Sequence, residues 1–302
     1  MVIPDFRIHN VSHIVKSILG FLEFLLYTPK YNKGELIVVN YHGTPAKFFK
    51  NFKKQVDFLT SIYQPLKASE IDKYFNGELS TKGPFILFTF DDGLKNNLQA
   101  ANYLAEKNIS AFFFVVPTFI ETLKDDQARY YKTHIRPIIN SHIESKEEDI
   151  TALSWNEIKE LINSGHCVGC HTRTHTLISN KSTADNSIFE IETSKKLLED
   201  TLANKVDSFC SINNTLISIG KKEKHIISEN YKYHFTTIPG YNNHSNPLFI
   251  KRRNIESFWL PGAVKLSVGK LDLRRWKKHV SEYDSYHTVS ETRNNNERAG
   301  AH

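Results

Sequence analysis

Cysteine is scarce in this sequence: three among 302 residues, too few and too odd a number for a disulfide framework. Long hydrophobic segments are also missing, since the longest early apolar run, residues 18–27, is interrupted by Gly20 and Glu23 and is too short to span a bilayer. The first 30 residues show no basic cluster ahead of an apolar core and no small-residue cleavage site. These absences predict a cytoplasmic protein.

Nucleic-acid-binding patterns are missing as well. The sequence contains no zinc finger, helix-turn-helix or RNA-binding signature, so we expect no nucleic-acid partner. Its formal net charge of +6 instead suits an acidic partner such as anionic lipid or a sugar phosphate. The 40% apolar fraction, with 20 Phe and 13 Tyr, supplies enough side chains for a large core and excludes global disorder.

The chain contains apolar runs that alternate with segments of helical periodicity. Strands are predicted at residues 35–42, 84–90, 111–116, 167–171 and 208–212, with shorter elements near 222–229, 233–238 and 248–256. Apolar and polar residues at helical spacing separate the first three strands. This alternation is typical of parallel βαβ units and predicts an α/β fold with a parallel sheet.

Three regions follow from changes in composition. An amphipathic helical segment occupies residues 1–34, and its helix over 11–27 either packs against the rest of the protein or lies in a membrane interface. A central domain spans residues 35–266 and includes a charged, irregular insertion at about 121–150. Residues 267–302 form a basic amphipathic piece and a polar tail that we predict to be disordered.

The second predicted strand ends in two adjacent carboxylates, Asp91 and Asp92, followed by Gly93. Active sites of parallel α/β proteins are built at this end of the strands. A buried unpaired charge is very costly, so two carboxylates at such a position need partners. Our hypothesis is that one of them coordinates a metal ion and the other transfers protons.

A second polar group follows the predicted strand at residues 167–171. His171 and His175 are four residues apart, so on a helical turn they share one face and can bind the same metal ion. Two histidines and one carboxylate would leave open positions on Zn²⁺ or a similar ion for water and substrate.

Other interpretations of these motifs are weaker. The spacing of Cys167, Cys170 and His171 matches covalent haem attachment. That chemistry needs an export route, and the first 30 residues show no pattern of an export signal. A zinc knuckle would need a second cysteine pair, and Cys210 stands alone, so we expect Cys167 and Cys170 to be small core residues. An aspartyl-phosphate mechanism would need a second aspartate where Gly93 stands.

Two motifs together resemble a known family. The sequences TFDDG at residues 89–93 and GHCVGCHTRTH at residues 165–175 are similar to the first two motifs of the polysaccharide deacetylases of carbohydrate esterase family 4. The similarity extends over residues 35–256. It implies a distorted (β/α) barrel of about seven parallel strands and a divalent metal, most often zinc, with cobalt, nickel or manganese as alternatives.

The resemblance also implies roles for individual residues. By position, Asp92, His171 and His175 would be the metal ligands and Asp91 the general base. The late arginine that orients the catalytic aspartate in some members would be Arg252 or Arg253.

Two family features have no clear counterpart. The general-acid histidine has two candidates, His234 and His244. The third motif, which walls the substrate groove, corresponds to residues 209–215, and these lack its proline and tyrosine.

The resemblance therefore implies a metal-dependent hydrolase. It would remove an N-acyl group, most simply acetyl, from an amino sugar in a surface polysaccharide or its nucleotide- or lipid-linked precursor. Alternatives are a catalytically impaired glycan- or lipid-binding member and an O-acetyl esterase. The amphipathic segment 11–27 and the basic piece at 271–279 would suit association with the inner face of an anionic membrane.

Overall fold

The computed structural model describes residues 15–16, 18–19, 22, 32–136, 150–212 and 219–269. Five residues of the helix predicted over 11–27 are therefore described, and all five are helical. The basic piece at 271–279 and the polar tail lie outside the described residues, as do residues 137–149 of the predicted insertion. The described part of that insertion contains two short helices, consistent with its irregular sequence.

The core of the fold is a parallel sheet curved into a half-barrel, as predicted. Seven strands lie in the order β7-β6-β5-β4-β3-β1-β8, and every described ladder is parallel. A two-residue strand, β2, pairs with the start of β3. The strands are β1 Leu36–Tyr41, β2 Gln64–Pro65, β3 Phe85–Phe90, β4 Ala111–Val115, β5 Cys167–Cys170, β6 Ser208–Cys210, β7 Tyr233–Phe235 and β8 Arg253–Asn254.

Helices connect successive strands from β1 to β7, as parallel pairing requires, and residues 236–252 link β7 to β8 without a helix. The helices are α1 Ala46–Thr60, α2 Ile71–Phe75, α3 Leu98–Glu106, α4 Pro117–Glu121, α5 Lys124–Tyr130, α6 Trp155–Asn163, α7 Ala184–Ile188, α8 Ser194–Leu202, α9 Lys221–Asn230 and α10 Pro261–Val268. A π-helical turn, Phe189–Thr193, joins α7 to α8 without a break. At the start of α6, Ser154 and Glu157 form a reciprocal capping box, because each side chain accepts a hydrogen bond from the backbone of the other.

The inner face of the half-barrel changes from apolar to polar along β3. Alternate residues of β3 point to opposite faces, so Phe88 and Phe90 pack under the helices while Phe85 and Leu87 fill the interior. The next inward position is Thr89, which hydrogen-bonds to a neighbouring strand. This alternation directs the carboxylate that follows β3 into the polar mouth of the half-barrel.

Two cysteines of β5 are core residues, as expected from the alternation. Cys170 belongs to the cluster under the helices, while Cys167 packs against the interior cluster. Gly169 lies between them and is required by close packing, because a Cβ atom there would lie 2.4 Å from Cε1 of Phe114. Both cysteines are free thiols.

Among the described residues, no helix has the length and apolar character needed to cross a bilayer.

Candidate active site

The structure brings the two predicted motifs together at the C-terminal ends of β3 and β5. Asp92 has a φ of 71° and His175 a φ of 62°, so both adopt the left-handed conformation that non-glycine residues avoid. Gly93 follows with a φ of 70°, and this turn carries the chain out of the sheet. Strained backbone of this kind costs about 1–3 kcal/mol per residue and is typical of functional sites.

Asp92 lies between the two histidines. Its Oδ1 is 3.3 Å from Nε2 of His175 and 3.6 Å from Nε2 of His171. Its Oδ2 is buried and makes no hydrogen bond. Burial alone would raise the pKa of this carboxyl, but the neighbouring histidines hold it well below its ordinary value. A buried, ionised oxygen without a donor is the arrangement expected of a cation ligand.

The orientation of both imidazoles fits the same interpretation. Nδ1 of His171 is 2.9 Å from the carbonyl oxygen of Cys210, and Nδ1 of His175 is 3.1 Å from that of His134. A carbonyl oxygen only accepts hydrogen bonds, so each Nδ1 donates and the other ring nitrogen, Nε2, faces Asp92. Burial lowers the pKa of His171 to about 4, which keeps this ring neutral at physiological pH.

The donor set therefore fits a divalent metal ion. One ligand atom each from Asp92, His171 and His175 lies within 4.8 Å of the others. Two neutral imidazoles and one carboxylate suit zinc and similar ions, and three protein ligands leave coordination positions for water or substrate.

Asp91 has different surroundings from its neighbour. Arg252 binds it with two hydrogen bonds, from Nη1 to Oδ1 at 2.7 Å and from Nη2 to Oδ2 at 2.8 Å. Burial alone would raise the pKa of this carboxyl, but the charge of Arg252 and the proximity of His171 bring it below its ordinary value. Asp91 is therefore an ionised carboxylate held in one orientation.

Of the two arginines that the sequence offered, the structure places Arg252 at the aspartate. Arg253 extends to the opposite face, where its Nη2 donates to the carbonyl oxygen of Gly269 and its guanidinium lies 5.6 Å from the ring centroid of Tyr241. The physical reason is the alternation of neighbouring side chains in an extended segment.

The two predicted general-acid histidines occupy other places. Nε2 of His234, in β7, is 2.7 Å from Oγ of Ser211, and the described lining of the mouth cavity includes Ser211 but not His234. His244 is exposed, beside Gly77 at the opposite end of the half-barrel, because the adjacent Asn242 bridges to the start of β1. Neither ring therefore lies at the Asp–His group.

Besides His171 and His175, a third histidine lines the cavity: His42, directly after β1. Its Nδ1 is 3.2 Å from Oε1 of Glu256, and Nη2 of Arg136 is 3.7 Å from the same oxygen. Burial alone would lower the pKa of His42, but the charge and hydrogen bond of Glu256 raise it above its ordinary value. The sequence analysis did not assign a role to this residue, although its position after a buried strand was a usable signal.

The mouth of the half-barrel encloses a cavity of about 480 Å³. Its described lining comprises Asn40, His42, Asp91, Asp92, Ile135, Arg136, His171, His175, Ser211, Ile212, Thr237, Arg252 and Asn254. Ile135 and Arg136 come from the predicted insertion. From the stretch that replaces the family's third motif, Ser211 and Ile212 line the cavity, and residues 213–218 lie outside the described part of the chain.

A buried carboxylate holds the loop between the two histidines. Oε2 of Glu190, in the π-helical turn, accepts hydrogen bonds from the backbone N–H groups of Arg173 and Thr174, both at 2.9 Å. Its Oε1 accepts from the hydroxyl of Thr174 at 2.6 Å. These three bonds fix a loop whose backbone has left-handed residues at Thr172 and His175.

The fold and the site together define an α/β half-barrel with a possible metal centre at the C-terminal ends of its strands. The model of the polysaccharide deacetylase family matches residues 78–215. The resemblance seen in the motifs is thereby confirmed. The description of the family implies hydrolase activity, and its members generally depend on a divalent metal. No curated protein matches the sequence significantly.

Solved structures share the fold at low sequence identity. The deacetylase PplD of Streptococcus pyogenes, in complex with acetate, is 16% identical, with a TM-score of 0.59 over 79% of this chain and 100% of its own. IcaB from Ammonifex degensii is 19% identical, with a TM-score of 0.59 over 78% and 99%. The BpsB deacetylase domain from Bordetella bronchiseptica is 16% identical, with a TM-score of 0.56 over 76% and 98%.

Proposed function

We propose that this protein is a metal-dependent hydrolase that removes an N-acyl group, most simply acetyl, from an amino sugar. The sugar would belong to a surface polysaccharide or to its nucleotide- or lipid-linked precursor. The observation that carries the proposal is the different environment of two adjacent carboxylates. Asp92 faces two imidazole nitrogens and has one unsatisfied oxygen, whereas Asp91 is fixed by Arg252. The catalytic unit would be the central domain, residues 35–266.

Asp92, His171 and His175 would hold the metal ion, for which zinc is the best match among zinc, cobalt, nickel and manganese. When bound, such an ion supplies Lewis acidity toward a carbonyl oxygen and toward water. Asp91 belongs to a second possible ligand group, with His171 and Cys210, but Arg252 already binds both of its oxygens, which favours a role as base.

Asp91 would take a proton from water as the water oxygen attacks the carbonyl carbon of the amide. Its pKa lies below the ordinary carboxyl value, so the group is ionised at physiological pH. Arg252 would act as a positioning residue, because its paired hydrogen bonds fix the plane of the carboxylate. Oδ1 also accepts a weak hydrogen bond from Sγ of Cys210 at 3.8 Å, so Oδ2 is the oxygen that keeps a lone pair for the incoming proton.

His42 would give a proton to the leaving amine when the carbon–nitrogen bond breaks. An amine leaves poorly unless it is protonated, so the reaction needs an acid as well as a base. His42 lines the same cavity as Asp91, and Glu256 stabilises its protonated form through Nδ1. His42 thus takes the role for which the sequence had offered His234 and His244.

Metal removal tests the proposed metal site. We expect the purified protein to contain a divalent ion. Chelation should abolish deacetylation of N-acetylated amino-sugar oligomers, and the return of Zn²⁺ or Co²⁺ should restore it.

His171→Ala should bind metal at least about 10-fold more weakly, since one of three ligands is lost. His166→Ala is a control, because His166 binds backbone groups away from the site. Full activity of the chelated protein would overturn the proposal.

A second prediction tests the role of His42. His42→Ala should lower kcat for an N-acetyl sugar by about 10²-fold, the lower end of the range for general-acid catalysis. It should affect an activated aryl acetate much less, because a phenolate leaves without a proton. Equal losses on both substrates would show that His42 acts structurally rather than as an acid. Glu256→Gln is expected to give a smaller loss with the same substrate dependence.

A further inference from the structure

Four apolar side chains form an exposed stripe near the amino terminus. Val15, Ile18, Leu19 and Leu22 are 48%, 54%, 47% and 44% exposed. Their spacing of three, four and seven residues places them on one face of a helix. We call this set the apolar stripe. Scattered apolar residues are normal on a protein surface, but a contiguous stripe of large ones marks a contact with a partner.

The apolar stripe lies beside a basic helix. Lys16, between two stripe residues in sequence, places its Nζ 5.8 Å from the ring centroid of Trp259. The backbone oxygen of Trp259 in turn accepts hydrogen bonds from Asn51 and Gln55 of α1, both at 2.6 Å. Through Trp259, these contacts connect the stripe helix to α1.

Helix α1 carries four lysines and a single acidic residue, Asp57. That carboxylate is already bound by Lys107 at 2.9 Å and by the hydroxyl of Tyr103 at 2.9 Å. Lys47, Lys50 and Lys54 are exposed. The surface next to the apolar stripe is therefore strongly positive.

We propose that the apolar stripe and the lysines of α1 form a docking surface for an anionic lipid bilayer. A bilayer offers both kinds of partner at once, since apolar side chains enter the acyl boundary while lysines contact anionic headgroups. A second copy of the chain fits less well, because a symmetric contact through the stripe would bring two lysine-rich helices together.

The docking surface adjoins the mouth of the half-barrel. Trp259 follows Glu256 by three residues, and Glu256 holds the cavity residue His42. Ser257 fixes the same segment to the loop after β1 through a hydrogen bond to the carbonyl oxygen of Gly43 at 2.9 Å. A bilayer bound here would lie next to the cavity. If the cavity has the proposed function, this placement favours a lipid-linked or membrane-borne amino sugar as substrate.

The test is co-sedimentation of the full chain with vesicles of phosphatidylcholine, with and without phosphatidylserine. We expect binding to the anionic vesicles, weakened by salt, and little binding to the neutral ones. The double substitution Ile18→Glu, Leu19→Glu should weaken binding about tenfold or more. The matched control Leu123→Glu, Ile188→Glu adds the same charge at two other exposed apolar positions and should bind like the unaltered protein.

The binding assay is accompanied by circular dichroism, by a deacetylation assay and by a measurement of the oligomeric state. Circular dichroism should show that both double variants are folded, and the deacetylation of a short soluble N-acetyl oligomer should be equal in both. No binding of the unaltered protein, or equal binding to neutral and anionic vesicles, would overturn the proposal. A dimer that disappears only in Ile18→Glu, Leu19→Glu would assign the stripe to a second copy instead. Vesicle binding without any deacetylation would reject the proposed function alone.

Discussion

Replacing Asp91 by asparagine is expected to reduce kcat for amide hydrolysis by about 10²–10⁴-fold, the usual contribution of a general base. Asparagine keeps the size of the side chain but cannot take a proton at neutral pH. The metal content should stay unchanged, because Asp91 is bound by Arg252 and is not one of the three proposed ligands. Activity and bound metal should be measured on the same preparation.

The matched variant is Asp92→Asn, at the adjacent position. It should lose metal and activity together, because Asp92 lies between the two imidazoles. The two roles would be wrongly assigned if Asp91→Asn lost the metal. Activity of Asp91→Asn close to that of the unaltered protein would exclude it as the base. Loss of activity alone in Asp91→Asn, and loss of metal with activity in Asp92→Asn, would support different roles for the two carboxylates.

The parts of this site that the sequence predicts are those encoded in one continuous segment. Residues 111–115 are all apolar and residues 85–90 are apolar except for Thr89, a pattern that indicates buried parallel strands. Asp91, Asp92 and His171 directly follow such strands, and parallel strands end at one edge of a sheet. Their proximity therefore follows from local sequence and from a general property of the fold.

The parts that the sequence does not predict depend on contacts between distant segments. His42 and Glu256 are 214 residues apart and meet because β8 pairs with β1. Only two residues form β8, too few for a visible alternation, so the sequence could not decide between Arg252 and Arg253. Arg136 approaches Glu256 from the insertion, whose irregular composition predicts no position for it.

Replacing Arg252 by methionine is expected to destabilise the protein by about 3–5 kcal/mol, the cost of leaving one member of a buried ion pair without its partner. Asp91 and Arg252 are 3% and 2% exposed, so water cannot easily replace the lost hydrogen bonds. The free energy of unfolding in urea gives this quantity directly. Activity should also fall, because the carboxylate would lose its fixed orientation.

A second substitution distinguishes the ion pair from general damage to the core. The double variant Asp91→Asn, Arg252→Met should recover much of the lost stability, since it leaves no buried charge, but none of the activity. The double variant should remain about 1–3 kcal/mol less stable than the unaltered protein, because Thr236 and Asn40 also accept hydrogen bonds from Arg252.

Arg253→Met is the matched control. Arg253 is equally buried but faces away from Asp91, so adding Asp91→Asn to Arg253→Met should not improve the stability of that variant. If Asp91→Asn rescued both arginine variants alike, the gain would come from removing a buried carboxylate in general. Rescue confined to Arg252→Met would show that this arginine is what makes a buried, ionised base tolerable at the mouth of the half-barrel.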